Sequence, residues 1–335
     1  MPCANYWPDM TERDRLRELS ERLGRDPLLV QAAGGNTSIK LNDHMWIKAS
    51  GTWLKDATEK EIFVPLRLPE LRQALRNNDP ACESCVDFVD QDYNPAGLRP
   101  SIETSVHGLM AQNVVLHVHC VSTIARAARN DAEQELAQRL HGQAWAYIPY
   151  ARPGLQLSHA IKQRLHSGIN VLVLGNHGLA VAADTVAGAE QRLHEIVGLL
   201  RIAPREVAEP DLEFLQNFAN GTGYKLPLDA QCHGAALEAG AISHGIRHVY
   251  YPDHVVFLGQ SLPTEPATNA VALAVPGKGV LIRKDAKPAV EPMVRCLSDV
   301  FRRVADANRL RALTGNEINS LLDWDAEKYR QTIKS

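Results

Sequence analysis

The sequence predicts a layered α/β domain followed by a smaller α+β region. Apolar, strand-like runs alternate with amphipathic helical segments through about residue 202. A stretch with two prolines and several acids, APREVAEPDLEF at 203–214, then reads as a linker. Beyond it the alternation restarts on a smaller scale. The expected division is therefore a catalytic domain over 1–202, the linker, and a C-terminal region over 215–335.

Composition narrows the function classes. At 335 residues the chain can bury a full core, and 45% hydrophobic with 22% charged residues is ordinary globular usage. A net charge of -3 lacks the electrostatic footprint of a nucleic-acid binder. The first residues, MPCANYWPDMTERDRLRELSERL, turn charged almost at once and carry no apolar signal core. No apolar stretch approaches the ~18 residues a membrane span needs. Six irregularly spaced cysteines do not form a disulfide framework, and the cytoplasm is the expected address.

The elements follow in order. Residues 10–24 place Leu16, Leu19 and Leu23 on one helical face before Gly24. GGNTSIKLNDHMWIKASGTWL reads as two strands about Asn42-Asp43. A helix is expected over 69–77 and a loop over 79–100. Ser101 to Ala111 reads as a helix capped by Ser101, with Glu103 in its first turn. A strand, Val114–Cys120, follows directly. Helices fit Ser122–Arg129, Asp131–Leu140 and Ser158–Ser167. INVLVLGNHGLAVAAD reads as two strands joined at Gly-Asn-His-Gly, before a helix over Ala187–Arg201. In the C-terminal region, Gln231–Gly240 is helical, HVYYPDHVVFLG (248–259) strand-like, VALAVPGKGVLIRKD a hairpin and Pro288–Ala307 a helix. This last unit echoes 171–200. Setting Gly178 on Gly279 sets Asp184 on Asp285 and Glu190 on Glu291, but His177 on Lys278, as in a degenerate copy without the histidine.

Four residues carry the chemistry. His117 and His119 alternate about Val118, so on a strand both imidazoles face one side. His177 sits at the bend closing a second apolar run and supplies a third nitrogen. Three imidazoles with an open position suit zinc, or another divalent ion such as manganese or cobalt, as a catalytic Lewis acid. Glu103 then has a natural acid/base role. Singly, each feature has a plain explanation, since His-X-His is common and Asn-His-Gly makes an ordinary turn. In order and in these settings, they point to a metal site.

Five motifs carry a family resemblance: GGNTSIK, KASG, PSIET with His107 behind it, LHVH and GNHGLAVAADT. In them the chain resembles the class II aldolase/adducin family, which includes fuculose and rhamnulose phosphate aldolases and ribulose phosphate 4-epimerase. The likeness spans roughly residues 10–202. It implies a three-layer α/β/α domain with a largely antiparallel sheet, and a homo-oligomer, usually a tetramer. It also implies a zinc-type ion on His117, His119 and His177, with Glu103 moving the proton. Gly35, Asn36, Ser50, Gly51 and Ser101 would cradle a phosphate or similar anion, and exposed backbone N–H groups with neutral side-chain donors suit that task. Lys48 is a candidate cationic partner or a solvated strand lysine.

Departures from the family pattern are informative. Ile102 stands where many members carry a second serine, which removes one hydroxyl from the anion site. PSIET, GGNTS and YYPDHVVFL are most similar to the aldolase part of rhamnulose phosphate aldolase/dehydrogenase fusions. The dehydrogenase half has no counterpart here, and VPGKGV has the wrong spacing for a dinucleotide fingerprint. Cys82-Glu83-Ser84-Cys85 has zinc-knuckle spacing without a second pair, and reads as an exposed loop. Cys120 is expected in the core. Asp253 and His254 read as a strand-entry turn rather than as an extra polar site. His233, His244 and His248 lack ligand spacing. Tyr329, in an amphipathic tail, reads as packing, although family aldolases borrow a C-terminal tyrosine.

The expected activity is a metal-dependent carbon–carbon lyase acting on a small sugar-like hydroxyketone, phosphorylated or free, through an enediolate. Decarboxylation of a 3-oxo sugar acid and epimerisation share that chemistry. A non-catalytic, adducin-like scaffold is the alternative of another class, and an intact histidine set argues against it.

Overall fold

The computed structural model describes residues 11–332. The reading of the extreme N-terminus and Met10 fall outside that range. Thr11 opens α1 (Glu12–Arg25) with a capping box to Asp14, and Leu16, Leu19 and Leu23 are buried on one face as their spacing requires. A hairpin follows, β1 (Asn36–Leu41) and β2 (His44–Lys48), turning at Asn42 in the left-handed region. β3 (Phe63–Arg67) runs into α2 (Leu68–Asn77).

The expected open loop after α2 is wound into three short 3-10 turns, Pro80–Glu83, Val86–Phe88 and Gln91–Tyr93. They carry Cys82 and Cys85 into a core with Met45, Leu66 and Leu71, so these thiols are buried rather than exposed. The next helix is also shorter than expected. α3 spans Thr104–Leu109 because Pro100 and Ser101 are tied along β2, by a bridge from Ala49 to Pro100 and a hydrogen bond from Ser101 N to Lys48 O. Ser101 therefore precedes the helix as a turn, and Glu103 rather than Ser101 takes the capping position.

β4 (Val114–Val118), α4 (Val121–Ala127), α5 (Ala132–Arg139) and β5 (Trp145–Ile148) come next. α6 (Leu155–Arg164) begins three residues before the expected Ser158. β6 (Val171–Leu174), β7 (Gly178–Ala183) and α7 (Val186–Leu200) agree with the sequence reading to within a residue or two at the boundaries. The seven strands form one sheet in the order β3-β2-β1-β4-β7-β6-β5. Every pairing is antiparallel except β5 with β6.

Strand alternation sends side chains into cores on opposite faces. Val114, Leu116 and Val118 of β4 join Leu16, Leu19, Leu193 and Ile196 of α1 and α7, and Cys120 lies in the same core as expected. Val115 points the other way, into a core with Val106, Leu157 and Ile161 of α3 and α6. At roughly 25 cal/mol per Å² of apolar area, two filled faces supply the main driving force for the sheet.

Residues beyond 200 pack onto this unit. The chain is irregular to Asp211, which caps α8 (Leu212–Ala219) by accepting from Phe214 N; the expected linker thus ends inside a helix. Arg205 is fastened to Glu238 and to the carbonyls of Phe301 and Val304. β8 (Tyr224–Lys225) precedes α9 (Gly234–Leu237), and the expected helix over 231–240 is broken into a 3-10 turn and α9, with a π-type turn over Ala241–Gly245 beyond it. The expected strand over 248–259 is instead α10 (Pro252–Leu258). Pro252 opens it, after Tyr251 in the extended conformation that a residue before proline prefers. β9 (Ala272–Val275) and β10 (Gly279–Arg283) form the expected hairpin in a three-stranded sheet with β8. α11 (Val290–Phe301) follows, so the order strand, turn, strand, helix recurs here. α11 shares a core with α4 through Val121, Ile124, Met293 and Leu297. α12 (Gly315–Leu322) and α13 (Asp325–Thr332) end the described chain.

Candidate metal centre

Register brings the predicted residues together. Asn36 on β1 pairs with His117 on β4, and Val118 pairs with Leu179 on β7. The bend before β7 therefore lies against the end of β4. It can do so because Gly178 has no side chain: a Cβ there would lie 2.5 Å from Val118 O. Asn176 takes a left-handed φ of 55° in that bend, as asparagine tolerates. Its carboxamide donates to Tyr250 O (2.9 Å) and Arg311 O (2.8 Å), fixing the bend to the C-terminal region.

Glu103, His117, His119 and His177 are all buried, and one donor atom from each lies within 4.8 Å of the others. The three imidazole centroids are 4.9, 5.0 and 5.1 Å apart. Glu103 reaches His117 Nε2 at 3.3 Å and His177 Nε2 at 3.1 Å with different carboxylate oxygens.

The donor set fits a divalent cation. His117 Nδ1 is 3.1 Å from Leu179 O and donates its hydrogen there, leaving Nε2 with a lone pair. His119 Nδ1 is 2.9 Å from Asp253 Oδ2, which selects the same tautomer. The two Nε2 atoms then face one another at 3.1 Å. Facing lone pairs repel unless a proton or a cation lies between them. Two nitrogens bound tetrahedrally at about 2.0–2.1 Å would sit roughly 3.3 Å apart, close to what is seen.

Charge at the site follows from burial and these neighbours. Burial pushes the Glu103 carboxyl up, but His117, His177 and His119, with a hydrogen bond from Asn36, outweigh it and hold the group down at about 2. Burial likewise lowers the His117 imidazole, against the pull of Glu103. His107, buried behind the site with Nδ1 2.7 Å from Ser38 Oγ, is driven well below its usual range by desolvation and stays neutral.

A small cavity opens on the centre. Gly35, Asn36, Ser50, Gly51 and Ser101, the expected anion-binding set, all line it. Gly35 (φ +62°) and Gly51 (φ +78°) occupy left-handed turns. Asn36 is turned to a different task, since its Nδ2 donates to Glu103 Oε2 (2.7 Å) and Ser101 Oγ (3.1 Å). Lys48 also lines the wall, buried, with Nζ donating to Ala33 O at 3.0 Å, so it is not a solvated lysine. Ile102 lines it too, beside Ser101.

Three wall residues come from beyond residue 203. Asp253, expected in a strand-entry turn, sits beside Pro252 on the first turn of α10 and faces His119; Glu327 of α13 is the third. A sequence signal for Asp253 existed, because Pro-Asp before an apolar run opens helices as well as strands. Its neighbour His254 is buried beside Tyr251, and burial lowers its imidazole to about 4. Tyr329 stacks on Arg99 (4.3 Å) in an adjoining cleft that shares Ser50 and Ile102 with the cavity. His233 lies away from the cavity and accepts from Val280 N at 3.0 Å.

The α/β fold thus carries a buried three-histidine, one-carboxylate cluster, a group able to hold a metal ion, beneath a small cavity. The profile of the Class II Aldolase and Adducin N-terminal domain matches residues 14–203, more than half of the chain, and the chain belongs to that family. A curated relative, the uncharacterized oxidoreductase YuxG of Bacillus subtilis, is 28% identical over 191 residues. That match takes in 53% of this chain but only 27% of the relative, so the chain spans about a quarter of its length. Among solved structures, the N-terminal class II aldolase domain of a Thermoplasma acidophilum protein is 26% identical, with a TM-score of 0.49, covering 59% of this chain and 98% of that one. L-fuculose-1-phosphate aldolase from Thermus thermophilus is 16% identical, with a TM-score of 0.36, covering 63% and 100%. No described helix is long and apolar enough to cross a membrane.

Proposed function

We propose that the protein is a metal-dependent, aldolase-type lyase that breaks or forms a carbon–carbon bond in a small hydroxyketone sugar derivative. The observation that carries this reading is the convergence of His117, His119 and His177 beside the carboxylate of Glu103, with the Nδ1 partners of His117 and His119 leaving their Nε2 atoms with lone pairs. His117, His119 and His177 would hold the ion, zinc in the first instance, with manganese or cobalt as substitutes. A divalent ion bound there supplies Lewis-acid stabilisation of the oxygen on which charge develops.

The chain's own groups do the rest. Glu103 transfers the proton at the carbon adjoining the substrate carbonyl. Its proton affinity is low in the cluster; displacement of the carboxylate from the ion into a partly apolar, water-excluded pocket would raise it toward the range useful for acid/base work. Asn36 orients that carboxylate. Backbone N–H groups about Gly35 and Gly51, with Ser50, Ser101 and Lys48, receive the substrate's anionic or polar end. The buried walls exclude bulk water.

In this reading residues 1–202 form the catalytic unit, 203–214 connect it, and 215–335 cover the site as a partial repeat. A homo-oligomer in the cytoplasm completes the picture. The test is to load purified protein with zinc, manganese or cobalt and screen ketose phosphates, free ketoses and sugar acids, following products by mass spectrometry. Release of an aldehyde supports the lyase. Carbon dioxide or an isomer as sole product would reassign the reaction, and no turnover with bound metal would favour a scaffold.

A further inference from the structure

Asp253 lies outside the family-matched residues 14–203, yet its carboxylate makes a buried contact with the candidate centre. Its Oδ2 is 2.9 Å from His119 Nδ1, and the side chains of both residues are 7% exposed or less. Imidazole has two nitrogens, and whichever carries the proton cannot bind a metal. A carboxylate at Nδ1 therefore decides that Nε2 is the free donor. It also makes the ring a better base and fixes its rotation about the axis that aims Nε2 at His117 and the cavity.

The chain is built to bring this carboxylate in. Pro252 starts α10 and places Asp253 on its first turn, while α10 packs on α11, which also packs on α4 directly after β4. Gly34 lies against the contact. A Cβ on it would be 2.8 Å from His119 Nδ1, 2.9 Å from Asp253 Oδ2 and 2.9 Å from Gln31 O, so a side chain there would push into the pair as well as against the backbone. Gly34 and Asp253 meet across the fold to make room for one hydrogen bond.

We propose that Asp253 is the positioning residue for His119, and that the C-terminal region thereby completes the metal centre rather than merely covering it. The inference rests on the proposed metal-dependent reading. Zinc affinity, by competition with a chromophoric chelator, and the visible absorption of the cobalt-loaded protein read it without any substrate. Asp253→Ala should weaken zinc binding about 10- to 100-fold and shift the cobalt bands, as loss of an outer partner of a ligating histidine does. Asp253→Asn, which keeps an acceptor oxygen, should lose less. Gly34→Ala, which removes no polar group, should shift the cobalt bands in the same direction, and it serves as the test if Asp253→Ala fails to fold. Unchanged zinc affinity and an unchanged cobalt spectrum in a folded Asp253→Ala protein would overturn the proposal. Failure of the unaltered protein to bind zinc or cobalt would overturn the metal-dependent reading with it, which separates the two failures.

Discussion

Asn36 and Glu103 are joined by a 2.7 Å hydrogen bond from carboxamide Nδ2 to carboxylate Oε2, with both side chains buried. The same Nδ2 is 3.1 Å from Ser101 Oγ, and Asn36 stands opposite His117 in the β1–β4 ladder. Glu103 is thus held from the sheet, not from its own helix, where it makes no capping hydrogen bond. Asn36→Ala should leave His117, His119 and His177 in place while letting the carboxylate rotate. The expected result is full metal content by elemental analysis and kcat lower by roughly 10- to 100-fold, the usual effect of misplacing a proton-transfer group. An unchanged kcat would remove Asn36 from the machinery.

Glu103→Gln is nearly isosteric and keeps a hydrogen-bonding group near Asn36, but it cannot accept and return a proton. Turnover should fall at least ~100-fold with melting temperature and bound metal little changed. A variant that loses its metal instead would show that the Glu103 carboxylate is needed for holding the ion rather than for proton transfer.

How legible this arrangement is in the sequence depends on the distance over which each part is specified. His117 and His119 are two apart on one strand, so strand periodicity alone orients them. His177 and Gly178 sit at a bend that hydrophobic patterning marks from both sides, and the β-hairpins at Asn42 and Gly279 are local in the same way. The α10 segment fails for a different reason. A short apolar run such as Val255–Leu258, buried on most sides, has no readable period, and proline can open a strand or a helix. The burial of Cys82 and Cys85 is hidden because polar neighbours suggest a surface loop, whereas the 3-10 turns expose Asp87, engage Glu83 with Arg152 and Leu155 N, and carry the thiols inward. The contact of Asp253 with His119 joins residues far apart in sequence, and no local pattern encodes it.

Lys40, on β1 away from the cavity, makes a prediction about stability and pH. Its ammonium is buried and donates to Met110 O and Gln112 O, both at 2.7 Å. Desolvation, with a smaller push from Arg72, lowers it to about 7. An unfolded lysine keeps its proton to about 10.4. Between those values the unfolded chain binds more protons than the folded one, so stability rises with pH across that window. From pH 7 to 9 the unaltered protein should gain about 2 kcal/mol more than Lys40→Met does, measured by urea denaturation at each pH. Parallel pH profiles for the two proteins would show that Lys40 remains charged in the fold.

Metal addition gives the last prediction, and it needs no substrate. The 3.1 Å approach of His117 Nε2 to His119 Nε2 is unfavourable for two neutral rings of the tautomer their Nδ1 partners select. A cation between them converts that repulsion into two bonds, so binding should favour the folded state strongly. With free zinc at a hundred times its dissociation constant the gain is about 2.7 kcal/mol, which in a chain of this size raises the melting temperature by several degrees. His119→Ala should abolish the shift and the bound metal together, because two remaining imidazoles do not make a tight site for zinc. His107→Ala is the matched control: it removes an equally buried imidazole that touches Ser38. That variant is expected to start from a lower melting temperature and still respond to zinc. Equal zinc responses in His119→Ala and the unaltered protein would place the ion elsewhere.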